Sequence, residues 1–359
     1  MQGRAPWLDF IKVFAVLFTL FLHANAPLAN WQTAVSHNPV TFNQYYWDIS
    51  MFFAALAGMT FALIFMYFGA VTLNSKEVSF TFFIYKAKSL ILPLIAWTII
   101  YTLFYKYMMH RDIEVLPQLL TSLFSPVAKN LWILYTLIAM FLILPLLKIV
   151  MDHTNTKQQI YLSILWIFAV SIPPFSEHFF NIKISTDLPM MTGYIGYMII
   201  GYILSKIKLT KTILQIAIIF VIMGITWSTF YSIFNSKPDS ILIGQYAGFF
   251  YSRFSFPMIM HSIGSFILLR FIAEQIIHKD VVKKVLHSLS PKALGICLIY
   301  PFWFTILGTE KIGIEITAFI GNPFWSVPLT ASLTILGSLM TVSILKKIPY
   351  VQTIVPKLF

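Results

Sequence analysis

The stretch WLDFIKVFAVLFTLFLHANA, residues 7–26, holds only three ionisable side chains, Asp9, Lys12 and His23. A bilayer core ~30 Å thick needs ~20 mostly apolar residues per helix, so this run reads as a membrane span. Comparable runs follow near 48–74, 80–105, 131–150, 159–174, 189–205, 212–234, 253–277, 289–308 and 324–345, separated by short polar loops. The expected fold is therefore all-α, a polytopic membrane bundle of about ten transmembrane helices forming one domain over residues 1–359. Two spans are unusual. The second is longer than a bilayer requires and is expected to tilt or break near Gly58. The fifth is short and is expected to stop at Pro173-Pro174, where a helix loses its backbone donors.

Composition leads to the same place. Of 359 residues 58% are hydrophobic and 11% charged, too apolar a surface for a soluble globule to bury. Arg4 followed by an apolar run and Ala24-Asn25-Ala26 imitates a signal peptide. Asp9 and Lys12 in the first turns, and the regular series of spans behind them, favour a retained helix. The net charge of +12 forms no basic face with interleaved aromatics, which excludes a nucleic-acid partner. Instead, basic residues concentrate in alternate loops, as in Lys206, Lys208 and Lys211 or Lys279, Lys283 and Lys284. The other loops carry the more scattered Lys106, Arg111, Lys129, Lys183, Lys237 and Lys311. Basic loops stay cytoplasmic, so both termini are expected on that side. Tyr45-Tyr46-Trp47 and Phe324-Trp325 stand where interfacial anchors belong.

Ionisable groups inside spans are costly and mark candidate sites. Lys12 and His23 are the sharpest pair. Eleven residues separate them by ~16 Å along a helix and bring the side chains to within ~20° of one face. For His23 a bond from the ring to a backbone carbonyl competes with a chemical role. For Lys12 a snorkelling lysine or an i, i+3 partner of Asp9 competes with anion binding. His261 reads either as an interhelical hydrogen bond or as an acceptor contact, and Arg253 as a headgroup anchor or a holder of an anionic glycan. Trp132 and Tyr135 suit sugar stacking and interface packing equally. His110, Arg111 and Asp112 read as a solvated loop. The single Cys297 excludes an internal disulfide. No phosphate loop, His-Glu-x-x-His helix or Gly-x-Ser-x-Gly elbow occurs, and no metal is expected.

Several stretches resemble the acyltransferase family 3 membrane proteins, which transfer acyl groups to cell-surface carbohydrates. The family's first helix carries an arginine, ten residues and then an essential histidine; Lys12 through His23 keeps that spacing. LWILYTLIAMFLILPLL at 131–147, GYIGYMIIGYIL at 193–204 and SPKALGICLIYPF at 290–302 are similar to further family segments in order and spacing. Lys12 replaces the family arginine, Tyr300 stands where histidine is frequent, Lys86 and Ser89 occupy the places of two arginines, and Phe68-Gly69 replaces Ser-Gly.

The resemblance implies an O-acyltransferase of a bacterial cytoplasmic (inner) membrane. Its donor would be acyl-CoA, acetyl-CoA first among them, and its acceptor a surface polysaccharide or lipid-linked saccharide at the outer face. His23 would be the catalytic residue, and Lys12, Lys86 and Lys88 would bind the donor. Trp132, Tyr135, Arg253, His261 and Tyr300 would line the acceptor side. A flippase for lipid-linked sugars and a non-catalytic partner of a glycan-synthesis complex are the rival expectations. A transporter would favour inverted repeats, and none is evident.

Overall fold

The computed structural model describes residues 5–29, 34–36, 43–75, 79–184, 193–235, 252–309 and 315–356. Its main helices, in order, are α1 (Pro6–Asn25), α2 (Gln44–Ala57), α3 (Thr60–Thr72), α4 (Phe80–Ser89), α5 (Ile91–Leu103), α6 (Trp132–His153) and α7 (Thr156–Phe180). There follow α8 (Ile195–Lys206), α9 (Lys211–Asn235), α10 (Phe256–Ile276), α11 (Asp280–Leu289), α12 (Ala293–Leu307) and α13 (Pro323–Leu345).

Among the described residues, nine helical stretches are long and apolar enough to cross a membrane, and the chain is a multi-pass membrane protein. The sixth expected span corresponds to α8, too short to count among the nine; the start of that span, at 189–192, lies outside the described residues. Helix α6 illustrates the sidedness. Leu134, Leu137, Phe141 and Leu144 are buried, while Leu142, Leu146 and Ile149 point outward, an exposed stripe that only lipid would solvate.

The second span breaks where expected. Helix α2 ends at Ala57, Gly58 donates to Ala55 O at 3.4 Å rather than to the carbonyl four residues back, and α3 starts at Thr60. The fifth does not stop at its prolines. Helix α7 opens on a capping box between Asn155 and Gln158 and runs through Pro173-Pro174 to Phe180. It ends at Asn181 in the left-handed region, φ 55°, where Ile182 N–H reaches Ser176 O at 3.2 Å. The expected boundary at Pro174 is thus corrected. In a membrane helix, neighbouring groups take over the carbonyls that proline leaves without donors, here Ala169 O and Val170 O, so a helix can continue through its prolines.

The chain divides into two compact units, each assembled from separate stretches. The first comprises 1–74, 154–290 and 304–335, the second 75–153, 291–303 and 336–359.

In the first unit α3 is almost wholly buried, against α1, α8 and α10. Lipid tails are as apolar as leucine, so helices associate through close packing rather than by escaping water. The α3–α8 contact shows how. A Cβ added at Gly69 would stand 1.9 Å from Met198 O, and one at Gly201 2.1 Å from Met66 O. The two backbones touch at two glycines. Helix α10 runs antiparallel to α1, with the Trp7 and Phe266 rings edge to face at 5.9 Å. Arg270 is also accounted for. It pairs with Glu274 at 2.8 Å, donates to the terminal carbonyls Leu204 O and Ile207 O of α8, and lies over Trp7.

In the second unit, Pro301 inside α12 deprives Cys297 O of its helical donor. Asn130 Nδ2 lies 3.2 Å from that oxygen and 3.1 Å from Leu298 O, while Tyr101 OH donates to Leu298 O at 2.7 Å. Asn130→Ala is expected to cost about 1–3 kcal/mol, because buried carbonyls lose a donor. A lowered melting temperature in detergent is the measurement.

Candidate functional site

His23 lies in the last turn of α1, half-buried. Its Nδ1 is 2.7 Å from Thr19 O. A carbonyl oxygen only accepts, so Nδ1 carries the hydrogen, and in the neutral ring the lone pair falls on Nε2. The ring also meets the edge of Phe61, centroids 6.1 Å apart. Two residues on, Asn25 is fully buried. Its Nδ2 donates to Ser50 O at 2.8 Å, while Oδ1 faces no donor among the described residues.

Phe61 carries a second group. The Arg253 guanidinium lies over the same ring, 4.0 Å from its centroid, and donates to Tyr194 OH. Tyr194 in turn stacks on Phe65 at 4.0 Å, and Tyr197 OH donates to the backbone carbonyl of Arg253. Imidazole, aromatic ring and guanidinium thus form one cluster. His261 stands elsewhere in the same unit, 1% exposed. Its ring bonds the backbone of Ala55 on α2, the interhelical contact considered for it, and its Nδ1 has no partner among the described residues.

At the other end of α1, Lys12 is 4% exposed. Its Nζ sits 3.2 Å from Asp9 Oδ1 and 5.4 Å over the Tyr67 ring, and Ser290 Oγ donates to Asp9. Lys12 meets Tyr67 and His23 meets Phe61, both on α3, so the two side chains share a face. Removing one partner of a buried ion pair strands the other charge. Asp9→Asn alone is expected to cost about 3 kcal/mol, and Asp9→Asn with Lys12→Met far less. Thermal unfolding of the two variants in nanodiscs checks the difference.

The remaining candidates belong to the second unit. Lys86 lies over Phe82 at 5.6 Å, and Lys88 is exposed on α4. Tyr135 OH donates to Ser122 O, which commits its hydroxyl to the loop before α6, and Trp132 opens that helix half-buried. Tyr300 is buried beside Pro301.

A family model described as an acyltransferase domain matches residues 5–343, from the residue before α1 to the last turn of α13. The chain belongs to acyltransferase family 3. No curated protein and no solved structure matches it. In this acyltransferase family member the matched range takes in both compact units and every candidate residue. The aromatic partners of the site, Phe61, Tyr67 and Tyr194, went unread in its sequence. One signal for Tyr194 was available, because it stands in the glycine- and tyrosine-rich segment 193–204. Phe61 offered none, being one of 34 phenylalanines.

Proposed function

We propose that this acyltransferase moves an acyl group, acetyl first among the candidates, from acyl-CoA to a hydroxyl of a surface polysaccharide or lipid-linked saccharide, with His23 as general base. The observation that supports the reading is the bond from His23 Nδ1 to Thr19 O, which puts the lone pair of the neutral ring on Nε2, the atom a general base would use. Nε2 takes the proton of the sugar hydroxyl as its oxygen attacks the thioester carbonyl. The new C–O bond forms, the C–S bond breaks, and the departing thiolate receives the proton from the imidazolium. The products are an ester and free CoA thiol.

Lys12, Lys86 and Lys88 are the proposed partners of the donor phosphates, as point charges rather than bidentate forks. Membership of the family supports acyl transfer; the donor, the acceptor and a cytoplasm-to-outside direction are part of the proposal. Purified protein in nanodiscs, given radiolabelled acetyl-CoA and a saccharide acceptor, tests it. Free thiol and base-labile label on the saccharide should appear in equal amounts. Label that moves with no thiol released, or thiol released with no ester formed, defeats the reading. Translocation of an unmodified saccharide would favour a flippase.

A further inference from the structure

In the first unit a groove of about 420 Å³ lies between α7, α9 and the turn that opens α10. Ile167, Phe168, Trp227 and Pro257 line it, and its walls are almost wholly apolar. Phe168 and Trp227 are about half exposed, so the groove opens sideways, toward the medium that surrounds the helices. One wall is the turn that carries Arg253. Ser252 and Phe254, the two neighbours of Arg253, both line the groove, and Ser171 Oγ fixes the turn by donating to Phe254 O at 2.8 Å. The Phe254 ring then contacts Tyr194 at 5.3 Å, the residue to which Arg253 donates.

The groove wall thus adjoins Arg253 in the chain, and the guanidinium in turn adjoins the ring that His23 meets. The steps are short, 4.0 Å from Arg253 to the Phe61 ring and 6.1 Å from that ring to His23. A lipid-linked saccharide presents the same sequence of chemistry: hydrocarbon chain, phosphate, sugar. A guanidinium presents its donors in a planar fork that matches phosphate oxygens. We infer that the groove holds the isoprenoid chain of a lipid-linked saccharide, with its phosphate at Arg253 and its sugar at His23. The inference rests on the acyl-transfer reading only for the role of the sugar. It selects the lipid-linked acceptor over a free polysaccharide, which has no chain to place there.

Photolabelling tests the groove without any acyl transfer. Nanodiscs of phosphatidylethanolamine and phosphatidylglycerol would carry the protein and a diazirine-bearing polyisoprenyl diphosphate. Label is expected on peptides spanning 164–175 and containing Trp227, and excess unlabelled polyisoprenyl phosphate should displace it while phosphatidylglycerol does not. Ile167→Trp, which fills the groove, should lower labelling about tenfold, a step of ~1.4 kcal/mol in binding. Arg253→Gln should lower it about as much, whereas Arg253→Lys keeps most of it, since charge survives without the fork. Ile164→Trp provides a second filler should the first not fold. Displacement by phosphatidylglycerol to the same degree, marking the occupant as ordinary bilayer lipid, would overturn the inference. So would labelling that neither a filled groove nor Arg253→Gln changes. A protein that takes the label in this pattern but releases no CoA thiol keeps the groove assignment and loses the enzymatic one.

Discussion

Replacing His23 with alanine is expected to lower acyl transfer by roughly 10²–10⁴-fold, the usual contribution of a positioned general base. His23→Gln should lose about as much, since an amide in its place donates and accepts hydrogen bonds but cannot take up a proton. That second variant separates proton transfer from mere positioning. Neither change should unfold the chain, because Thr19 O is also the carbonyl four residues back within α1 and keeps its helical environment. The measurement is initial rate at saturating acyl-CoA, with donor binding followed in parallel. Rate should fall while donor affinity holds, the pattern of an interaction made in the transition state. Unchanged base-labile ester on the saccharide in His23→Ala would end the assignment of His23.

The second large effect concerns folding rather than chemistry. Gly201→Leu is expected to remove properly folded protein from the membrane fraction, and Gly69→Leu to do the same. The obstacle at each site is backbone: a Cβ at Gly201 would lie 2.4 Å from Met66 Cα, and one at Gly69 2.5 Å from Met198 Cα. Main chain cannot rotate away as a side-chain tip does. Helices α3 and α8 would have to separate, losing the close packing that joins them and straining the Asn74 Nδ2 bond to Ser205 Oγ at their shared end. Gly193, with nothing within 4 Å of an added Cβ but φ at +78°, is a contrasting site where backbone strain alone is at stake. Gly193→Ala should therefore leave a monodisperse gel-filtration peak where Gly201→Leu leaves none. An intact peak for Gly201→Leu would show that the contact can open.

The spans were legible because lipid demands long apolar runs, and the run from Trp7 to Ala26 meets that demand almost by itself. The break at Gly58 was legible from the excess length of its span. Pro173-Pro174 misled for a definite reason: proline's cost depends on who receives the orphaned carbonyls, and that is a tertiary fact. The shared face of Lys12 and His23 followed from helical spacing, because both lie on one element. The bond between Asp9 and Ser290 joins residues 281 positions apart, and no local pattern announces it. Arg253 could be singled out by charge, yet its place on Phe61 beside His23 depends on three helices meeting.

The interruption at Gly58 has a mechanical side. An unbroken helix transmits bending along its length through its ladder of hydrogen bonds, and a missing rung makes a joint. Helix α3 is clamped to α8 by the two glycine contacts, while α2 beyond the joint is tied to α1 through the Asn25 bond to Ser50 O. The two halves of this span are therefore held by different neighbours, α3 by α8 and α2 by α1 and α9. A strain on one set of neighbours is not passed along the helix axis to the other, because the ladder that would carry it is broken at Gly58.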